Sequence, residues 1–383
     1  ALGVPPMGAR PLFSYLGIPM ETSSEFKLKT RDVRKTYGSV VALEGTSIEM
    51  AEGEFLTLLG PSGSGKTTLL MAIAGLNDPD SGEIWIDGKL VTYTPSHQRG
   101  LGMVFQNYAL FPHLSVYENI AFPLRMRKER EAIIREKVQR VLQTVELPGV
   151  ENRLPSELSG GQQQRIALAR CFVYEPSIIL MDEPLGALDK KLRDALQREI
   201  KHLHEDMGIT VLYVTHDQEE AMVMSDRICL MNEGSIQQIG SPQDLYFCPE
   251  SIFAADFLGE SNLLKATVTQ IDVETAVLSC TDGRLIKGIA SSPLKKDQNV
   301  RYMIRPENVS ACKSPDESEN NASGTLKEVI MIGQITKYFI ELSDGTEMVA
   351  TELTDSSSVA TNIGSSISFT WSSLDTRVFP DTG

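Results

Sequence analysis

The sequence offers little that would commit it to a bilayer, a disulfide framework or a nucleic acid. No run approaches the ~18 consecutive apolar residues of a spanning helix, so if the protein works at a membrane another chain must cross it. The five cysteines, Cys171, Cys229, Cys248, Cys280 and Cys312, are odd in number and widely spaced, with no CxxC pair or metal-ligand cluster. That usage predicts reduced thiols in a cytosolic compartment. Basic residues are outnumbered, 36 Lys+Arg against 51 Asp+Glu, and the net charge of −15 would repel a phosphate backbone unless the cations were gathered on one face. Nucleic acid is therefore not an expected partner. No internal repeat is evident, and the 383 residues exceed one module at ~100–200 residues per domain.

What is present divides the chain into regions of different period. Residues 1–25, rich in proline and without a sustained apolar core, read as a leader or upstream extension with Met20 a plausible natural start. From 26 to 259, short β-rich runs such as Glu54–Leu59, Ser177–Met181 and Thr210–Thr215 alternate with helical patterns, which predicts a parallel sheet flanked by helices. Within it, residues 107–172 lose the β-rich runs, and Ile133, Ile134, Val138, Val141, Leu142 and Val145 recur at helical spacing. A helical insertion is expected there, with the charged run Leu124–Arg130 on a solvated helix face. Residues 260–383 turn to Thr, Val and Ser with Asp282-Gly283 and Asp344-Gly345 turns, predicting a separate all-β domain. Ser310–Ser323 has almost nothing to bury and reads as a loop inside that domain.

The chemistry centres on Gly60-Pro61-Ser62-Gly63-Ser64-Gly65-Lys66-Thr67, which fits G-x-x-x-x-G-K-[ST] between an apolar strand and a helical pattern beginning at Thr68. Glycines let backbone N–H groups turn toward phosphates, Lys66 reaches the terminal phosphates, Thr67 offers a hydroxyl to Mg²⁺, and the helix end adds partial positive charge. ATP or GTP is the expected ligand. A second apolar strand ends in Asp182-Glu183, whose side chains should point to opposite faces. Asp182 suits Mg²⁺ and Glu183 suits a general base acting on water. Ser159-Gly160-Gly161-Gln162 precedes a helical run, so its N–H groups could meet a second anion, within one subunit or across a dimer.

LSGGQ some twenty residues before IILMDEP, together with GPSGSGKT, resembles the ATP-binding cassette ATPases. The resemblance implies an α/β P-loop core with a helical subdomain, followed by an all-β C-terminal domain of the TOBE/OB-like kind. It implies head-to-tail homodimers in which Ser159, Gly160, Gly161 and Gln162 of one protomer close over ATP held by Gly60–Thr68 of the other. By the same resemblance Tyr37 stacks on adenine, and Gln106 senses Mg²⁺ and the attacking water. Asp189 is the D-loop aspartate, and His216 in VTHD is the switch histidine at the γ-phosphate. Gly186 stands where many relatives have serine, which removes a side-chain hydroxyl contact there. His202 and His204 are expected on a solvated helix face.

The β domain, with Ile304-Arg305-Pro306-Glu307, resembles the C-terminal domain of bacterial importer ATPases, and the blocks EFLTLLGPSGSGKTTLL, VFQNYALFPHLSVYENIAF, LGALDKKLR, VTHDQEEAMVMSDRI and FLGESNLL are most similar to ATPases of spermidine/putrescine importers. ATPases of iron, phosphonate and sugar importers share much of the pattern. The resemblance implies two separate permease subunits meeting the segment Gln106–His113, an extracytoplasmic substrate-binding protein acting through them, and a peripheral place on the cytoplasmic face of the bacterial inner membrane. A soluble cassette protein acting on ribosomes or DNA would need tandem cassettes or long heptad insertions, and a small-molecule kinase would have no use for LSGGQ. Regulation, dimer support and ligand sensing all stay open for the β domain.

Overall fold

The computed structural model describes residues 26–105, 109–186, 190–272, 275–312, 320–355 and 362–381. In chain order its first part holds β1 (Leu28–Tyr37), β2 (Val40–Thr46), β3 (Glu49–Met50), β4 (Phe55–Leu59), α1 (Lys66–Ala74), β5 (Ser81–Ile86), β6 (Lys89–Leu90) and β7 (Leu101–Val104). An antiparallel layer runs β2-β1-β5-β6, with β3 also against β1. Its inner face, including Leu28, Val33, Ile84 and Ile86, packs with α1 residues Leu69, Leu70 and Ile73 in one core. Arg99 closes that core: its guanidinium donates to the Ala72 and Ile73 carbonyls at 2.8 Å each, and to Thr92 and Thr94. Carbonyls at the end of α1 are thereby satisfied by a cation, where the helix dipole favours one.

The next stretch is helical, with α2 (Val116–Met126), α3 (Glu131–Thr144) and α4 (Gly160–Phe172), and is followed by β8 (Ile178–Asp182), α5 (Lys190–Met207), β9 (Thr210–Thr215), α6 (Gln218–Met224), β10 (Arg227–Asn232) and β11 (Ser235–Gly240). The main sheet runs β11-β10-β4-β9-β8-β7, parallel except for the β11 edge. Helices cover both faces, so every residue of β4 and β9 is buried, the pattern expected of parallel strands. On α3 the buried stripe is Ile134, Val138, Val141 and Leu142, while Ile133 falls beside it and is exposed. The run from Leu124 leaves the helix after Met126, Lys128 turns into positive φ at 61°, and Arg125 pairs with Glu118 and Glu131.

His204 departs from expectation. It lies on the α5 face that buries Leu196, Ile200 and Leu203, its ring meets Phe55 edge-on at 5.3 Å, and its Nδ1 is 2.7 Å from the Ile209 carbonyl. The polar ring is tolerated there because it has that partner. His202, two residues earlier, is exposed.

Two short helices, α7 (Pro242–Phe247) and α8 (Ile252–Phe257), lead to β12 (Asn262–Asp272), β13 (Thr275–Cys280), β14 (Leu285–Ala290), β15 (Asn299–Ile304), β16 (Ser310–Cys312), β17 (Asn320–Ile332), β18 (Ile335–Leu342), β19 (Glu347–Leu353), β20 (Ser366–Trp371) and β21 (Arg377–Pro380). β12-β13-β14-β21-β15 close a barrel, and β16-β20-β17-β18-β19 form a sheet that shares its core. The segment expected as a loop is strand at both ends: Ser310–Cys312 and Asn320–Ser323 pair with β20. Asn320 is drawn in by hydrogen bonds with the backbone of Lys287, so a polar stretch gains order from its partners. Arg305, 2% exposed, binds the carbonyls of Ala255, Glu260 and Tyr246 and stacks 4.3 Å from the Tyr246 ring. It fastens the barrel to α7 and α8.

Candidate active site

The phosphate loop leaves the end of β4 with backbone packed against backbone. A Cβ on Gly60 would lie 2.1 Å from the Met231 carbonyl oxygen, and one on Gly65, whose φ is +98°, would lie 2.4 Å from that of Ala42. Only glycine allows those approaches. Pro61, Ser62 and Gly63 form the outer turn, where the Pro61 carbonyl accepts from the Ser64 N–H. The Lys66 ammonium is buried and donates to the Gly60 and Pro61 carbonyls at 2.9 and 2.8 Å. Desolvation lowers its pKa from 10.5, against the attraction of Glu183 and Asp182. A phosphate oxygen would be a stronger acceptor for the same donor. No side chain caps α1 at Gly65, and Thr68 lies in its first turn.

Thr67 donates its hydroxyl to Asp182 Oδ1 at 3.0 Å across the loop. Burial raises the Asp182 carboxyl above its ordinary value, Thr67 works against the rise, and the charge of Glu183 adds to it. The two acids separate because β8 ends between them. Glu183 leaves the strand at φ +45°, a region that strains a side-chain-bearing residue, and the Glu183 N–H bonds to the Val214 carbonyl at 3.0 Å. The Glu183 carboxylate then meets His216 Nδ1 at 3.1 Å. Phosphate-loop threonine, strand-end acids and histidine thus come from the ends of β4, β8 and β9, adjacent strands of one sheet.

The Ser159 segment is a separate, exposed helix start. The Ser159 hydroxyl accepts from the Gln162 N–H at 3.3 Å and the Gln162 side chain accepts from the Ser159 N–H at 3.0 Å, a capping box. Gly160 is exposed, and Gly161 packs so that a Cβ would lie 3.1 Å from Leu192. Tyr37, 47% exposed at the end of β1, accepts a hydrogen bond from Asn77 and has the Lys35 ammonium 5.5 Å from its ring centre. Gln106 and Asp189 lie outside the described residues. Among the described residues no group of three His, Cys, Asp or Glu could cage a metal ion. A Thr hydroxyl beside one carboxylate nevertheless suits Mg²⁺, which takes its remaining ligands from phosphates and water.

Comparison with known proteins agrees with this geometry. Residues 43–186 match the family model described as ABC transporter, and residues 302–379 the one described as TOBE domain. The Spermidine/putrescine import ATP-binding protein PotA of Rubrobacter xylanophilus is 42% identical, over 90% of this chain and 91% of its own. Its namesake from Aggregatibacter actinomycetemcomitans is 47% identical over 77% and 79%. Among solved structures, cbiO1 from Clostridium perfringens, part of the ABC transporter complex cbiONQ, aligns with TM-score 0.54 and 29% identity over 58% of this chain and 91% of that one. The chain belongs to the ABC transporter ATPases.

As an ABC ATPase it binds and hydrolyses ATP through its P-loop core, ahead of a TOBE domain. Sequence reasoning missed several residues that contact these candidate side chains. Asn77 holds the Tyr37 hydroxyl. Arg193 and Glu220 surround the turn that bears His216. Glu220 is the one with a legible signal: an acid in the first turn of a helix, four residues after a histidine that follows the end of a strand.

Proposed function

We propose that this ATPase powers uptake of polyamines, spermidine or putrescine, as a homodimer coupled to two separate permease subunits at the cytoplasmic face of a bacterial inner membrane. An extracytoplasmic binding protein would deliver the cargo and act on the motor only through the permeases. The cargo reading is supported by relatives bearing that name that match over cassette and TOBE domain together. The hydrolytic reading is carried by one observation, the 3.1 Å contact of Glu183 with His216 beside the Thr67–Asp182 pair.

In this reading Lys66 and the N–H groups of Gly63 to Thr68 orient the triphosphate, and Tyr37 covers adenine. Thr67 and Asp182 would hold Mg²⁺, with Gln106 as a further contact, and the ion would supply positive charge to the phosphate oxygens. Glu183 accepts the proton of the attacking water at its carboxylate. The His216 ring, with Nδ1 3.1 Å from Glu183 Oε1, fixes the direction in which that carboxylate faces. Ser159, Gly160, Gly161 and Gln162, with Asp189, arrive from the second protomer and close the site. Binding two ATP molecules favours the closed dimer, and hydrolysis releases it.

The test is ATP hydrolysis by the complex that co-purifies with this chain in detergent, with its binding protein supplied, with and without spermidine or putrescine. Stimulation is expected. Hydrolysis indifferent to both polyamines keeps the motor and overturns the cargo, and the absence of any co-purifying membrane protein overturns the transporter reading.

A further inference from the structure

Behind His216 lies a buried polar cluster to which none of the steps above gives a task. Glu220 is 2% exposed, and its Oε2 accepts from the Tyr213 hydroxyl at 2.8 Å and the Thr215 hydroxyl at 2.7 Å. The Thr215 oxygen in turn accepts from the Asp217 N–H at 3.0 Å. One carboxylate oxygen is therefore linked through a single hydroxyl to both chain neighbours of His216. Asp217 Oδ1 accepts from the N–H groups of Glu219 and Glu220 at 2.8 and 3.2 Å, while its Oδ2 accepts from Arg193 at 2.8 Å. Arg193 belongs to α5, which begins at Lys190, next in sequence to Asp189, and its Nε stands 3.8 Å from Glu220 Oε1.

The cluster is an expensive way to end a strand. Burial pushes the Glu220 carboxyl up from its ordinary value, and the two hydroxyls and Arg193 only oppose that rise. An apolar residue of similar volume would fill the space without the desolvation cost. What it would not do is accept two hydroxyl protons on one oxygen while facing a guanidinium, which is what sets the direction of the Thr215 hydroxyl.

We propose that Glu220 is the positioning residue for His216: with Arg193 it fixes the Thr215–Asp217 turn that holds the imidazole against Glu183, and it ties that turn to α5. This rests on the reading of Glu183 and His216 as the hydrolytic pair. A displacement of α5 then reaches His216 through Arg193 and Asp217 without passing through the phosphate loop.

Two variants of the full chain in its permease complex test this. Glu220→Gln keeps an acceptor and the shape but loses the charge, and Glu220→Ala loses both. We expect kcat to fall about tenfold in the first and about a hundredfold in the second, with KM for ATP within about twofold in each. Should Glu220→Ala fail to fold, Glu220→Gln carries the test alone. The second readout is the ¹⁵N signature of the His216 ring in the isolated chain. In Glu220→Gln its tautomer balance should shift, while the signals of the other histidines, His97, His113, His202 and His204, stay in place. Unchanged kcat, or a lower kcat with an unaltered His216 signature, overturns the proposal. Glu183→Gln serves as the control: continued turnover there removes the hydrolytic reading, and the ring signature still decides whether Glu220 positions His216. A dead Glu183→Gln beside an unaffected Glu220→Gln removes only the present inference.

Discussion

The starts of α1 and α4 are written in nearly the same letters, serines and glycines followed by a helix, yet the two ends are built for different situations. At α1 no side chain caps the helix, Gly65 turns the backbone through φ +98°, and a buried lysine stands over the loop. Its N–H groups are left to an anion, and one chain supplies everything around them. At α4 the Ser159 and Gln162 side chains satisfy each other's backbone in an exposed capping box. That helix start is complete in the lone protomer and carries no lysine of its own. The contrast teaches why a cassette can bind nucleotide alone in the proposed mechanism but needs a second copy to hydrolyse it: the first end is preorganised around a ligand, the second is a finished surface waiting to be brought up to one.

Replacing the base breaks that contrast most severely. Glu183→Gln should lower ATP turnover by about a thousandfold, within the span attributed to a positioned general base, while ATP binding persists and an ATP-dependent dimer accumulates. Steady-state hydrolysis and size exclusion with ATP check it, and persisting turnover removes Glu183 from the role. Ser159→Arg comes next. It removes one half of the capping box, about 1 kcal/mol, and adds bulk and charge to the face offered to the partner. Hydrolysis should fall by about a hundredfold or more, with single-subunit ATP affinity changed by no more than about threefold. Normal turnover would sink the two-protomer site.

The other end of α1 sharpens the comparison through stability. Arg99→Ala strips the Ala72, Ile73, Thr92 and Thr94 carbonyls of a shared donor in a buried place. We expect a loss of about 2–3 kcal/mol in denaturant unfolding, with ATP affinity falling only as far as α1 frays. An unchanged midpoint would mean that the β5–β7 region does not brace the phosphate helix.

How much of this was legible follows from how far each interaction reaches along the chain. The phosphate loop, the capping box at Ser159 and the strand-end acids are local patterns, and the strands Phe55–Leu59, Ile178–Asp182 and Thr210–Thr215 stand within a residue of where apolar runs put them. Strand alternation, though, gave the wrong reason for the parting of Asp182 and Glu183. The chain leaves the strand at Glu183 with positive φ, and the histidine it meets lies just past the end of another strand. The tasks of Arg99 and Arg305 were invisible because a lone charged residue reads as surface until the carbonyls it serves are folded around it. His204 misled for the same reason: its partners, Phe55 and the Ile209 carbonyl, include a ring from a distant strand. The ends of Ser310–Ser323 became strand only because β20 came to pair with them.

The smallest effect distinguishes a group kept for its ligand from one kept for the fold. Burial holds the Asp182 carboxyl above its ordinary value of 3.8, so the native chain binds that proton more tightly than the unfolded chain. Below 3.8 both forms are protonated and the residue is neutral in the balance. As pH rises through the raised native value, ionisation favours the unfolded chain, and the resulting destabilisation is fully present at neutral pH. Asp182→Asn keeps an acceptor for Thr67 and removes the ionisation. Without nucleotide it should unfold about 1–2 °C higher than the parent at pH 7, the gap closing as pH falls toward 3.8, while hydrolysis with Mg²⁺ is lost. Paired thermal scans across that range cancel every other titrating group. An Asn variant less stable at pH 7 would mean that the carboxylate bound to Thr67 helps hold the loop to β8, and α1 would then owe its readiness for phosphate to the same acid proposed to serve the metal.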